Sequence, residues 1–396
     1  MFSQKLESAV QDVENIGSLP IIDKEELRDL LAKSIDSKAL EVDEILRLVN
    51  GTKSKRNREV VLNFASTYKR PHDDKILLLP PLYFASSCEN NCLYCDFTSE
   101  GTTLSYEEFS DEIDALLAMG YRSIELVSSQ DPDLYAHTDS YTTSHQTFTI
   151  DKVLRYFDIA SQKLNKSGGG MLTSNIPPVD LKNFRKLKDT GLDCYLIWLE
   201  TFNPAQYSRL HKQDGPKANQ SFRIDSLETA IEAGIEHIAA AFLKGLYDWR
   251  KEEVILYLFD RHIKQKRGRG FSIIGSPRLK GSFLNSRHIV PYTVSDEEYE
   301  LNIALDRILF DGILWLQTRE SFEFNYELIE RYGGGVILTL SSSTAPGGYS
   351  KPSKARAQFP VYKQKLNKSV SRLEKSGYEA IFDWDSQTLM KFLRNS

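Results

Sequence analysis

From residue 75 onward, short apolar runs alternate with longer stretches whose apolar residues recur at helical spacing. The runs are KILLLPPLYF (75–84), RSIELVS (122–128), GGMLTSN (169–175), CYLIWLE (194–200), HIAAAFLKG (237–245), GFSIIG (270–275), ILWLQT (313–318) and GVILTLS (335–341). Each is short enough to be a buried strand. Several of the intervening helices have readable ends. Ser105, with Glu108 three residues on, forms a capping box ahead of Phe109, Ile113, Leu116 and Leu117 on one face. Ser295 and Glu298 repeat the device, and the stretch 180–190 carries Leu181, Phe184 and Leu187 before Gly191.

Strands alternating with helices imply an α/β fold with parallel strands under covering helices. Eight such units over residues 75–344 match the size of a (β/α)8 barrel of the TIM type. A doubly wound open sheet has the same periodicity and stays open at this point. Residues 1–74 are polar, with Leu27, Leu30, Leu31, Ile45, Leu46 and Leu48 at helical spacing, and predict an N-terminal helical extension. Within it the charged tract 51–60 is expected to be solvated. Residues 345–396 predict a basic, loop-like C-terminal extension with a short helical ending.

A barrel collects its chemistry just after each strand, at the C-terminal face. Those positions hold Cys88, Cys92 and Cys95, then Ser128-Ser129-Gln130, Ser174-Asn175, Glu200-Thr201, Lys244-Gly245, Ser276-Pro277-Arg278, Thr318-Arg319-Glu320-Ser321 and Ser341-Ser342-Ser343. Polar and ionisable groups fall where the fold would use them.

Charge and composition narrow the function classes. The 396 residues carry 50 basic and 55 acidic side chains, a net charge of −5, which argues against nucleic-acid binding through overall charge. The basic tract 264–269 predicts a solvated loop. No apolar run is long enough to span a membrane, and the acidic, amphipathic start lacks signal-peptide features. The expected compartment is the cytoplasm.

Three of the four cysteines fall within eight residues, in SSCENNCLYCDF, and Cys194 lies alone in an apolar run. A disulfide scaffold would spread its cysteines through a short secreted chain. Three clustered thiols point instead to a metal site. Structural zinc takes four ligands, and no second hook is present. An iron–sulfur cluster on three cysteines leaves one iron open to a ligand. Zinc, in a non-enzymatic scaffold protein, is the rival reading.

The C-x3-C-x2-C spacing resembles that of the radical S-adenosylmethionine (radical SAM) enzymes. The segments PPLYFASSCENNCLYCDF (80–97), LETFNPAQYSRLHKQDGPK (199–217), SFRIDSLETAIEAGI (221–235), GLYDWR (245–250), SPRL (276–279), TRES (318–321) and STAPGGY (343–349) look, in this order, like motifs of the aromatic amino-acid lyases of that superfamily. Within this group, the ending IFDWDSQTL is similar to that of 2-iminoacetate synthases of thiazole (thiamine) biosynthesis. The hydrogenase-maturation lyases carry a second cysteine set, and this chain has no cysteine after Cys194.

The resemblance implies a [4Fe–4S] cluster on Cys88, Cys92 and Cys95 that binds S-adenosylmethionine, with Tyr94 near the adenine. It implies that Glu200 and Arg223 contact the cofactor's ribose or methionyl group, with Asn175 and Gln130 as further cofactor contacts. Ser129-Gln130 stands where these lyases commonly carry Gly-Glu, and Asp96 where glycine is usual. Arg319 would clamp the substrate carboxylate, since a guanidinium pairs with it in a planar, bidentate way. Ser321 would add a hydrogen bond, Tyr83 would face the substrate, and Arg278 is divided between the substrate pocket and a structural ion pair. The implied reaction is cleavage of the Cα–Cβ bond of L-tyrosine to 2-iminoacetate and p-cresol, with tryptophan or another amino acid as the alternative and an inactive paralogue as a further one. The implied partners are a flavodoxin or ferredoxin reductant and an acceptor protein of the thiazole-synthase type, with neither nucleic acid nor membrane.

Overall fold

A computed structural model describes residues 1–36, 39–137, 148–280, 292–340 and 343–394. Its strands are β1 Lys75–Leu78, β2 Pro81–Ala85, β3 Ser123–Ser128, β4 Ala136–His137, β5 Phe148–Thr149, β6 Met171–Asn175, β7 Cys194–Glu200, β8 His237–Phe242, β9 Ile273–Gly275, β10 Ile313–Leu316, β11 Val336–Leu338 and β12 Glu379–Ile381. Ten of them form one sheet in the order β12-β1-β11-β10-β9-β8-β7-β6-β3-β2, all pairings parallel. β4 and β5 form a separate antiparallel pair.

The first apolar run supplies two strands rather than one. Pro80 has no N–H to continue a ladder, so the run breaks at Leu79-Pro80. Its first half pairs with β11 and its second half with β3. Successive pieces of one segment thus serve opposite flanks of the sheet, which curls round on itself as a (β/α)8-type fold. Leu79 N–H donates to Leu338 O at 3.3 Å, and Glu125 N–H donates to Pro80 O at 3.0 Å, on the two sides of the break. The gap left between β1 and β3 is filled from the C-terminus. β12 pairs with β1, Arg122 N–H donates to Phe382 O at 3.0 Å, and Trp384 Nε1–H donates to Leu78 O at 2.9 Å.

Side-chain alternation sorts the strands into two environments. Ile76, Leu78, Leu82, Phe84, Ile124 and Leu126 pack outward with the helices. Leu77, Met171, Cys194, Leu196, Ile273, Ile313 and Ile337 turn inward and meet Trp384, Leu389 and Phe392 in a separate apolar layer. Among the described residues the short helix Ser386–Phe392 is the one helix that packs into this inner layer, so the doubly wound alternative, with full helical layers on both faces, does not hold. The lower half of the lumen is solid and the upper half is left to the site.

Three local expectations change. Residues 345–396 contain helix Leu366–Lys375, β12 and helix Ser386–Phe392; a three-residue strand has too little pattern of its own and forms because β1 has an open edge. The tract 51–60 enters helix Lys55–Thr67, and Asn57 is buried, its Nδ2 donating to Ile22 O at 2.9 Å. Residues 264–267 are the last turn of helix Trp249–Arg267, which stops at Gly268 in the left-handed region (φ 80°).

Candidate active site

The loop after β2 is pinned from several sides. Cys88 N–H donates to Thr98 O at 2.9 Å, Glu89 N–H to Gln130 O at 3.1 Å, and Leu93 N–H to Leu210 O at 3.2 Å. The three cysteine side chains line one cavity at the C-terminal ends of the strands, of ≈ 860 Å³ empty volume. Asn90 Nδ2 lies 3.8 Å from Cys88 Sγ and Gln358 Nε2 lies 3.7 Å from Cys95 Sγ. Burial pushes the Cys92 thiol up and the Cys95 thiol to about 12, so their deprotonation has to accompany metal binding. Among the described residues no three His, Cys, Asp or Glu side chains gather as a single ion requires. A cluster instead takes each thiolate on a different iron. The donor set therefore fits a three-cysteine cluster better than lone zinc.

The opposite wall is polar. Glu200 ends β7 after a register shift and holds φ 68°, a left-handed conformation unusual for a non-glycine residue. Its Oε1 accepts from Lys217 Nζ at 2.6 Å and Arg223 Nη2 at 3.3 Å, and Arg223 Nε–H donates to Trp198 O at 2.8 Å. Burial opposes charge on Glu200, yet Lys217 and Arg223 hold its carboxyl below the ordinary value. Lys217 also donates to the Tyr94 hydroxyl at 3.0 Å, which lies 2.7 Å from His211 Nε2. Burial, aided by Lys217, lowers His211 to about 3, so the imidazole is neutral. Gln130 and Asn175 line the same cavity, and the Gln130 amide nitrogen is buried without a hydrogen-bond partner among the described residues.

A second, inner compartment of ≈ 390 Å³ empty volume lies in the lumen. It shares Asn175, Trp198, Arg319 and Phe359 with the first cavity and adds Tyr83, Glu125, Trp315 and Thr339, among others. The Arg319 guanidinium stacks 3.5 Å from the centroid of Phe359 and makes no ion pair among the described residues. Tyr83 donates its hydroxyl to Gln358 Oε1 at 2.8 Å.

Ten of the twelve site residues named from the sequence thus line the two cavities, and two do not. Arg278 is bound by Glu320, Nε to Oε1 at 2.9 Å and Nη2 to Oε2 at 2.7 Å, and by Asp296 at 2.7 Å. It is a structural ion pair. Ser321 caps helix Phe322–Tyr332 by accepting from Phe324 N–H at 3.2 Å. Both follow strands, but their side chains are spent outside the lumen. Ser341 and Ser342 lie outside the described residues.

Four contributors were missed. Lys217 ends the segment LETFNPAQYSRLHKQDGPK, in which nothing sets it apart from its charged neighbours. Gln358 and Phe359 come from the C-terminal segment, for which no pattern exists. Glu125 had a signal: in SIELVS the outward pair Ile124 and Leu126 puts Ser123, Glu125 and Val127 on the inner face.

Residues 82–258 match the Radical SAM superfamily. The chain is 27% identical to the 2-iminoacetate synthase of Salmonella typhimurium over 321 residues, 77% of each protein. It is 24% identical to that of Escherichia coli over 364 residues, 89% of this chain and 90% of the relative. The solved structure of the FeFe-hydrogenase maturase HydG from Carboxydothermus hydrogenoformans superposes with a TM-score of 0.81 at 29% identity, covering 96% of this chain and 85% of that one. The match marks residues 82–258 as a radical SAM domain, and the enzymes of that superfamily use a [4Fe–4S] cluster and S-adenosylmethionine. With that domain and its similarity to 2-iminoacetate synthase and HydG, the chain is supported as a radical SAM enzyme of the lyase type.

Proposed function

We propose that the protein cleaves the Cα–Cβ bond of an aromatic amino acid, L-tyrosine first, giving 2-iminoacetate and p-cresol. The observation that carries this reading is Arg319: a guanidinium without a carboxylate partner among the described residues, on the wall shared by the two cavities. A bidentate contact there fixes an amino acid by its carboxylate, with its α-carbon beside the cofactor cavity and its side chain in the inner one.

Cys88, Cys92 and Cys95 hold the cluster, and Gln130 meets the methionyl end of S-adenosylmethionine. Glu200 accepts from its ribose hydroxyls, while Lys217 and Arg223 keep that carboxylate charged. Tyr94 packs near the adenine. When bound, the cluster and S-adenosylmethionine supply one-electron, hydrogen-abstracting chemistry. The protein aims the substrate and excludes water, with Trp198, Trp315 and Phe359 as apolar walls. The reading calls for a flavodoxin or ferredoxin reductant and a thiazole-synthase-type acceptor for a labile imine.

The test is anaerobic incubation of reconstituted protein with S-adenosylmethionine, reductant and a pool of amino acids, followed by mass spectrometry. Loss of tyrosine with appearance of p-cresol is expected. Formation of 5′-deoxyadenosine with no aromatic amino acid consumed overturns the proposal.

A further inference from the structure

The inner compartment contains a carboxyl group that neither cluster nor cofactor binding uses. Glu125 is 3% exposed, on a strand otherwise buried by apolar neighbours. One oxygen, Oε1, accepts from Asn175 Nδ2 at 3.1 Å, and the other makes no hydrogen bond among the described residues. A buried carboxyl with an unused oxygen costs stability unless a ligand completes it.

The register sets its depth. Glu125 pairs with Pro81 and Thr173, and Val127, two residues further along β3, pairs with Tyr83 and Asn175. Val127 lines the cofactor cavity and Glu125 the inner one. Glu125 therefore sits about 6–7 Å deeper in the lumen, two residues of strand rise. Arg319 follows the end of β10, at the mouth. Tyr83 lines the inner compartment together with both. An amino acid whose carboxylate is held at Arg319 points its side chain down the lumen, towards Glu125.

We infer that Glu125 is the specificity-determining residue of the inner compartment, hydrogen-bonding a donor at the far end of the substrate's aromatic side chain, the O–H of a phenol. The inference rests on the lyase reading above and deepens it. Burial raises the carboxyl to about 8, so near neutral pH it is largely protonated and can both donate to and accept from a phenol. An apolar lumen accepts a ring by size alone, whereas a buried polar group rejects the analogue that leaves it unpaired.

The test is binding, since turnover of an analogue depends on its own chemistry. Protein with its cluster and S-adenosylmethionine bound is dialysed to equilibrium against L-tyrosine, L-phenylalanine, O-methyl-L-tyrosine or L-tryptophan, as wild type, Glu125→Gln and Glu125→Leu. The wild type is expected to bind tyrosine at least about tenfold more tightly than phenylalanine or the methyl ether. Glu125→Gln keeps a donor and an acceptor and should retain most of that ratio. Glu125→Leu should bring it to within about twofold of unity while still binding phenylalanine, which also reports that the pocket is intact. Preference for tryptophan, abolished in Glu125→Leu, supports the role of Glu125 with an indole N–H as the donor. A tyrosine-to-phenylalanine ratio unchanged in Glu125→Leu overturns the assignment and leaves the lyase reading standing. A wild type that binds none of the four overturns both.

Discussion

Tyr83 and Gln358, 275 residues apart in the chain, are joined by a hydrogen bond of 2.8 Å from the tyrosine hydroxyl to the amide oxygen. The same amide faces Cys95 Sγ through its nitrogen at 3.7 Å, and Gln358 N–H donates to Thr344 O at 2.8 Å. A strand of the barrel, the cysteine loop and the C-terminal segment therefore meet at one side chain. Burial keeps the Tyr83 hydroxyl protonated, so it remains a donor. Tyr83→Phe removes one bond of about 1 kcal/mol. The expected result is a folded enzyme with a several-fold higher KM for its amino acid and an unchanged iron content, checked by kinetics and iron analysis.

Arg319→Lys tests the carboxylate clamp. An ammonium keeps the charge and loses the planar fork and the stacking on Phe359. The KM for the amino acid should rise at least about tenfold, or about 1.4 kcal/mol, with S-adenosylmethionine binding unchanged in equilibrium dialysis.

Lys217→Met leaves Glu200 buried with Arg223 as its remaining cationic partner. The carboxyl should then move up, because burial already favours its neutral form. S-Adenosylmethionine should bind more weakly, and the protein should lose about 1–3 kcal/mol of stability in denaturant titration.

Glu125 makes a stability prediction independent of substrate. Its folded value of about 8 exceeds the ordinary 4.5, with burial as the cause and the Asn175 bond acting against it. Between those values the folded state holds a proton that the unfolded state has released. Stability therefore declines as pH rises through that window and levels off above it. Glu125→Gln lacks this slope. Its gain in melting temperature over wild type should be small near pH 5 and largest near pH 8, as measured by thermal melts across that range.

Trp384 closes the bottom of the lumen and bonds Leu78 O through its indole N–H. Trp384→Ala should cost about 3–5 kcal/mol, far more than a change in a dispensable tail, and a calorimetric or denaturant melt reads it directly.

The alternation of apolar runs with amphipathic helices determined an α/β fold with parallel strands, because side-chain periods of two and 3.6 residues are local properties. The cysteine spacing, and the positions of Glu200 and Arg319 at the ends of strands, were likewise legible, because a barrel builds its site from strand ends. What the chain could not display was which strand-end side chains turn inward. Arg278 and Arg319 follow neighbouring strands in similar settings, yet Glu320 and Asp296 neutralise the first and leave the second facing the cavity. That choice depends on partners distant in sequence. So do the insertion of β12 beside β1 and the bond from Gln358 to Tyr83. Only the closed tertiary structure decided them, since each needs an open hydrogen-bonding edge or a hollow interior that no single segment possesses.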